Sequence, residues 1–340
     1  MKAARLHEGR TDFAVEDVPA PEAGPGTVVV RIEHAFLPTY IAALAEGVFA
    51  YTPPRPFTAG HCAIGVVESA GAGVEPAIAG RRVYCDLYLE SQGVDAPGDA
   101  AFIGCFGPEP AAGTLLERWR NGTFAERVLL PRECVVPVPE DIGVAPEVLC
   151  RLGWLGTAWQ GLVRGGLEPG GRVAITGASG VLGTSAVLAA LAMGAGRVEV
   201  HGRRPAILAR LHLLDYRVVA ADDTADVDLV LDCTDGAPPD HLAALLHRLA
   251  RGGSAVVLGA LSRPLPVDTD ILMPRDLGVR GSFWFPRDVP ARILRLVAAG
   301  ALDLTAVQAE VYPLARINEA VERSLEASGG LRHVALDCSG

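Results

Sequence analysis

Short apolar runs broken by glycine and proline fill the first part of the chain, and a different rhythm, strand alternating with helix, takes over from residue 172. Residues 27–33 (TVVVRIE) have the β-branched content of a strand, and Pro19, Pro21 and Pro25 make its approach an extended loop. The next segment, HAFLPTYIAALAEGVF, turns helical around residues 40–45. In AGHCAIGVVESAGAGVEPAIAGRRVYCDLY the runs are short and the turns fall at Gly71, Gly73 and Gly80, a pattern that predicts a small β-barrel-like domain. Residues 86–121 are polar and rich in glycine and proline, as in a lobe or long loop. Residues 122–138 return to strands, and 146–167 hold helical segments.

The sharpest pattern is residues 170–204, GGRVAITGASGVLGTSAVLAALAMGAGRVEVHGRR. Residues 172–176 read as a buried strand, 177–183 as a glycine-punctuated turn, and 184–193 as a chargeless helix stopped by Gly194 and Gly196. Residues 198–201 read as a second strand. A membrane span is excluded because the glycines leave pieces too short to cross a bilayer. Strand, glycine turn and helix make half of a dinucleotide-binding unit, with Ser179, Gly180, Val181, Leu182 and Gly183 at the anion-binding helix start. Where NAD-binding units place an acid, the chain has Gly202 followed by Arg203 and Arg204, a pairing suited to a 2′-phosphate. The expected cofactor is therefore NADPH.

The alternation continues with a helix at 206–214, strands at 217–220 and 227–231, a helix at 241–250, and a strand at 255–258. Ligands sit outside the carboxyl ends of parallel strands, which places Cys233, Thr234, Gly259 and Ala260 beside the cofactor. Residues 279–285 (VRGSFWF) predict the last strand of that sheet, 292–299 a helix, and 311–336 a strand, helix and strand that return to the first domain.

Composition narrows the chemistry. Half of the 340 residues are hydrophobic, and the formal charge of −10 is spread without a basic block, so neither nucleic acid nor a membrane is an expected partner. The start of the chain lacks an apolar signal segment, and a cytoplasmic protein is expected. Seven cysteines without a CxxC pair predict free thiols. Lys2 is the only lysine, which removes a P-loop, a Schiff base and the Tyr-x-x-x-Lys pair of short-chain reductases, whose opening motif TGASGVLG resembles.

Taken in order, VVVRIEHAFLPTY, AGHCAIGVVESAGAGV, GRRVY, NGTFAERVLLP, LGTAWQGLVRGGLEPGGRVAITGASGVLG, VDLVLDCTDG, GGSAVVLGAL and VYPLARINEAVERSLEASGGLRHVAL resemble the medium-chain dehydrogenase/reductase family nearly end to end. The resemblance implies an α/β protein: a Rossmann-type parallel-sheet cofactor domain, residues 148–289, inserted in a β-rich, GroES-like catalytic domain, residues 1–147 with 290–340 returning to it. It also implies that Thr157 and Phe283 lie on the cofactor side. The departures fall on the zinc ligands of the family. The first cysteine position is Pro38, Gly-His-Glu becomes Gly60-His61-Cys62, and the third position is Gly153, so one ligand of three remains and no metal is expected. Displaced Cys62 and Cys150 keep a non-standard zinc site as the alternative. Tyr40 falls where the zinc enzymes carry the hydroxyl of their proton relay, making Tyr40, His61 and Thr39 the candidate catalytic residues. Trp154, Trp159 and Trp284 are candidate pocket walls. The implied activity is zinc-independent, NADPH-dependent hydride transfer to an activated C=O or C=C bond of a small apolar substrate. A nucleotide-binding module without catalysis is the other reading. A homodimer paired through the 279–285 edge is expected.

Overall fold

The computed structural model describes residues 1–90, 99–222, 224–260, 262–327 and 329–340. Part of the predicted lobe, residues 91–98, lies outside them. The chain opens with antiparallel β1 (Lys2–Leu6) and β2 (Ala14–Asp17), then runs through β3 (Thr27–Leu37) into α1 (Ile41–Ala45). There follow β4 (Phe57–Thr58), β5 (Cys62–Ala70), β6 (Arg82–Asp86), β7 (Tyr88–Glu90), β8 (Ala100–Phe102), α2 (Gly113–Arg118), β9 (Arg127–Pro131), β10 (Val135–Pro137) and α3 (Pro146–Leu149). Helix α4 (Leu152–Arg164) leads to β11 (Arg172–Thr176), α5 (Val181–Ala192), β12 (Arg197–Val200), α6 (Pro205–His212), β13 (Val218–Ala220), β14 (Val227–Asp232), α7 (Asp240–Leu246), β15 (Leu249–Val257), α8 (Thr269–Leu272), β16 (Gly278–Gly281) and α9 (Val289–Ala298). The last elements are β17 (Gln308–Pro313), α10 (Ile317–Ala327) and β18 (Arg332–Asp337). No helix among the described residues is long and apolar enough to cross a membrane.

The chain forms two compact units, Met1–Leu152 with Gln308–Ser328 and His333–Gly340, and Gly153–Val307 with Gly329–Arg332. The return to the first unit therefore comes later than the expected residue 290. Helix α9 buries Val289, Ile293, Leu294 and Val297 on its apolar face and stays with the second unit.

In the first unit β3 is the spine. It pairs antiparallel with β5, β9 and β18, and its apolar residues 28–30, which alternate between the two faces of the sheet, are all buried. Register shifts between Val29 and Val30 and between Ile32 and His34 curl the strand, as bulges do. The wider sheet runs β10-β6-β5-β3-β18-β17, and the predicted lobe contributes the β7-β8 hairpin and α2.

In the second unit the described strands lie in the order β13-β12-β11-β14-β15-β16, all parallel. This is the doubly wound order, and its direction reverses between β11 and β14. Helix α5 packs so closely that residues 183–190 are buried. Gly183 is required here, since a Cβ would sit 2.2 Å from the Gly177 carbonyl oxygen. Two predicted elements are shorter than expected. Helix α7 ends at Leu246, because Leu249 and Ala250 join β15 alongside Val227. The strand expected at 279–285 stops at Gly281; Trp284 turns to φ 56° and packs on Phe285, ring centroids 4.4 Å apart, and on Trp154 at 6.5 Å.

Candidate functional site

The site in the first unit starts where β3 ends. Pro38 is buried, its carbonyl accepts the Ile41 N–H at 3.1 Å, and Ile41, Leu44 and Ala45 anchor α1, so Tyr40 stands as the residue that begins the helix. His61 immediately precedes β5, and its carbonyl accepts the Leu87 N–H at 3.2 Å. The Tyr40 hydroxyl lies 2.9 Å from His61 Nε2. The Cys105 thiol is within hydrogen-bond reach of the same hydroxyl. Phe102 stands edge-on to the imidazole at 5.1 Å; Phe49 and Phe106 stack at 4.5 Å and flank the Tyr40 ring at 5.9 and 6.1 Å. His61, Phe102 and Cys105 are buried, whereas Tyr40, Phe49 and Phe106 keep part of their rings at the surface. The result is an apolar aromatic wall with one hydroxyl-imidazole pair set in it.

Burial controls both members of the pair. It lowers His61 to about 3, so the imidazole is neutral across the physiological range. It also pushes the Tyr40 phenol well above its ordinary value, aided by the Cys105 and Cys62 sulfurs, so the proton stays on oxygen. A neutral imidazole has one N–H and one lone pair. Where Nε2 carries that N–H it donates to the Tyr40 oxygen, and the Cys105 sulfur is the other hydrogen-bond partner of the phenol. Thr39 is exposed and, among the described residues, makes no hydrogen bond to the pair. Sequence reasoning missed Cys105, Phe49, Phe102 and Phe106. The last two bracket Cys105 at a spacing of four in a stretch whose polarity masks them.

In the second unit the glycine turn is built as expected. The Ala178 N–H donates to the His201 carbonyl at 2.9 Å and the Gly180 N–H to the Gly177 carbonyl at 2.8 Å, placing Ser179 and Gly180 at the start of α5. Val181, Leu182 and Gly183 form the first turn of α5, the end of a helix whose dipole favours an anion. Cys233 and Thr234 follow β14, Gly259 and Ala260 follow β15, and the two loops are joined by a Gly236 N–H to Ala260 carbonyl bond of 2.6 Å. Gly202 lies against the turn, where a Cβ would sit 2.8 Å from Ser179 Oγ, so an acid there would need the turn to move. Arg203 and Arg204 are both exposed at the surface but differ in what they touch. The Arg204 guanidinium packs on the Gly329 backbone, where an added Cβ would lie 1.9 Å from it, while Arg203 carries no ion pair among the described residues. Thr157 spends its hydroxyl inside α4, donating to the Gly153 carbonyl at 2.8 Å. Phe283 is half-exposed in the segment after β16. The indole N–H of buried Trp159 has no hydrogen-bond partner among the described residues.

A doubly wound sheet with this turn, in one chain with a β-rich unit curled around a long spine, defines a two-unit dehydrogenase or reductase. Residues 24–140 match the family model of the alcohol dehydrogenase GroES-like domain, and residues 209–329 that of a zinc-binding dehydrogenase. The alcohol dehydrogenase of Moraxella sp. (strain TAE123) is 31% identical over 95% of this chain and 95% of its own. A thermostable alcohol dehydrogenase from Pyrobaculum aerophilum superposes with a TM-score of 0.81 at 26% identity, covering 99% of both chains. A zinc-binding dehydrogenase fold from Sinorhizobium meliloti 1021, bound to NADP, gives 0.82 at 25% identity over 99% of this chain and 98% of that one. The chain belongs to the medium-chain dehydrogenase/reductase family, in its alcohol-dehydrogenase-like branch, and is an oxidoreductase.

The zinc that this branch implies does not fit the residues present. Pro38 and Gly153 offer no donor atoms. The Cys62 sulfur accepts the Tyr84 hydroxyl at 3.4 Å, and the Cys150 thiol donates to the Glu147 carbonyl at 3.0 Å. Among the described residues no three of His, Cys, Asp and Glu converge as a ligand set. A nicotinamide cofactor does fit, on the glycine turn and the start of α5.

Burial of His61 has a measurable signature. Its folded value of about 3 lies below the ordinary imidazole value, and that of buried His333 is likewise about 3. The unfolded chain therefore binds more protons between these values, and stability is lost as the pH falls below about 6.5. Each histidine should remove at most about 1.4 kcal/mol per pH unit in that window. The His61 imidazole resonances should stay fixed from pH 8 to about pH 5 in the folded protein. A His61 titration centred near pH 6.5 would show that the pair is open to water.

Proposed function

We propose that the protein is a zinc-independent, NADPH-dependent reductase that delivers hydride to an activated C=O or C=C bond of a small apolar molecule, with Tyr40 as donor to the substrate oxygen. The carrying observation is the 2.9 Å Tyr40–His61 pair set in an aromatic wall, at a position where the residues for a metal are replaced. NADPH, when bound, supplies the hydride. As the substrate carbon accepts it, an electron pair moves onto the carbonyl oxygen, or onto the oxygen conjugated to the alkene. The Tyr40 O–H hydrogen-bonds to that oxygen and then gives up its proton. An alkoxide is a stronger base than a phenolate, so the transfer runs downhill even from a phenol weakened as an acid by burial. His61 holds the phenol in place from behind, and Phe49 and Phe106 exclude water and favour an apolar substrate.

Arg203 selects the cofactor in this reading, since it is exposed, follows Gly202 and faces no competing carboxylate among the described residues. A cytoplasmic setting accords with seven free thiols. Among the described strands β16 has a neighbour on one side only, and it leaves Val279 37% exposed, which suits pairing with a second copy.

Three measurements test these parts. NADPH should bind more tightly than NADH, and Arg203→Ala should remove about 1.5 to 3 kcal/mol of that advantage; equal affinities in the wild type would refute the assignment. Tyr40→Phe keeps the ring and should lower turnover about a hundredfold to a thousandfold, whereas near wild-type turnover would move the donor role elsewhere. Light scattering should give twice the 35.5 kDa chain mass, and a monomer at micromolar concentration would end the dimer proposal.

A further inference from the structure

The first unit also carries a pocket of about 330 Å³, bordered by β1, β9 and the segment that follows α2, a size within the range of small-molecule sites. Every lining residue lies in that unit, and none belongs to the aromatic wall or to the Tyr40–His61 pair. Arg5, Arg118, Arg120 and Arg127 line it, and no lining residue is an aspartate or glutamate. In a chain of formal charge −10, that is a local reversal of sign.

The four guanidiniums are not equivalent. Arg127 gives Glu68 two hydrogen bonds, at 2.7 and 3.1 Å, and Arg5 donates to Glu16 at 3.1 Å and to the Pro56 carbonyl at 2.8 Å. Exposed Arg118 and half-buried Arg120 meet no carboxylate among the described residues. Arg118 lies instead over the Trp119 ring, 5.5 Å from its centroid.

The segment that carries them is held in place. The Trp119 N–H donates to the Leu115 carbonyl at 2.7 Å, and the Gly122 N–H to the Thr58 carbonyl at 2.8 Å. Gly122 runs so close to Gly60 that an added Cβ would lie 1.8 Å from the Gly60 carbonyl oxygen. Between these ties, Asn121 Oδ1 accepts the Thr58 N–H at 3.0 Å. That bond fixes which end of the amide faces β4. It turns the Nδ2 amino group, which has no acceptor among the described residues, away from that strand on a residue lining the pocket.

The rest of the lining is largely apolar, with Val18, Pro19 and Pro21 after β2 and Val128 and Leu129 in β9. Guanidiniums pair with carboxylates and phosphates alike. The apolar side rewards only a ligand that has an apolar body to bury, and a singly charged head gives up less hydration there than a dianion.

We propose that this pocket binds a small carboxylic acid with an apolar body, its carboxylate held by Arg118, Arg120 and the Asn121 amide, at a site separate from that of hydride transfer. The inference goes beyond the reductase reading and stands without it.

The test is calorimetric titration of the full chain with the naphthoate ion, with neutral naphthamide and with inorganic phosphate. Wild type, Arg120→Gln, the double variant Arg118→Gln/Arg120→Gln, and Phe49→Ala in the aromatic wall are compared. Naphthoate should bind the wild type; Arg120→Gln should weaken it about tenfold and the double variant should abolish it. Naphthamide and phosphate should each bind at least about tenfold more weakly, and Phe49→Ala should leave naphthoate affinity unchanged. No binding to the wild type, or unchanged affinity in the double variant, would overturn the inference. Naphthamide binding as tightly as naphthoate would show that the guanidiniums are not read, and phosphate doing so that the apolar lining is not; either result overturns it. A loss confined to Phe49→Ala would move the acid to the aromatic wall and overturn it as well. Should the double variant fail to fold, Arg120→Gln decides: a loss of about tenfold supports the inference, and an unchanged affinity overturns it.

Discussion

A single hydrogen bond, Tyr40 to His61 inside a low-dielectric aromatic wall, is the constraint on which the proposed chemistry of this chain rests. In water the imidazole would be partly charged and the phenol free to rotate. Buried, the imidazole is held neutral and the phenol protonated, and the two rings stack with centroids 5.9 Å apart. The first unit is arranged to keep that bond. Its spine, β3, fixes where the chain turns at Pro38, α1 is pinned by three buried side chains, and the lobe returns Phe102, Cys105 and Phe106 over the pair. A polar donor held in apolar surroundings before any substrate arrives needs no reorganisation when charge develops, which is the advantage of a preorganised site.

The second unit meets a different demand, close approach of backbone to an anion. The parallel sheet places the turn at its carboxyl edge, and the uncharged α5 approaches the turn closely at Gly183. The Arg248–Glu199–His201 chain places a satisfied charge in the interior of β12, just before Gly202 and Arg203.

Much of this was legible in the sequence because it rests on local pattern. The strand-turn-helix at 170–204 is encoded by β-branched residues, spaced glycines and a chargeless helix, and it folds as read. So does the parallel alternation that follows the turn. The misreadings fall where tertiary context overrides pattern. Leu249 and Ala250 continue a helical rhythm but are recruited by the sheet. Residues 282–285 look like strand, yet Trp284 turns to φ 56° and its indole packs on Phe285 and Trp154. Tyr40 and His61 could be singled out because each occupies a position that the family resemblance marks. The aromatic wall could not, since Phe49, Phe102 and Phe106 meet only after the lobe folds back, and nothing in their spacing reports the partner.

The central claim is that a buried hydroxyl-imidazole pair does the work that zinc performs in related enzymes. The most direct measurement is metal content of the purified protein alongside its reductase rate before and after exhaustive chelation. The account predicts far less than one zinc per chain and a rate unchanged by chelation. About one zinc per chain, with turnover abolished by the chelator and restored by zinc, would contradict it.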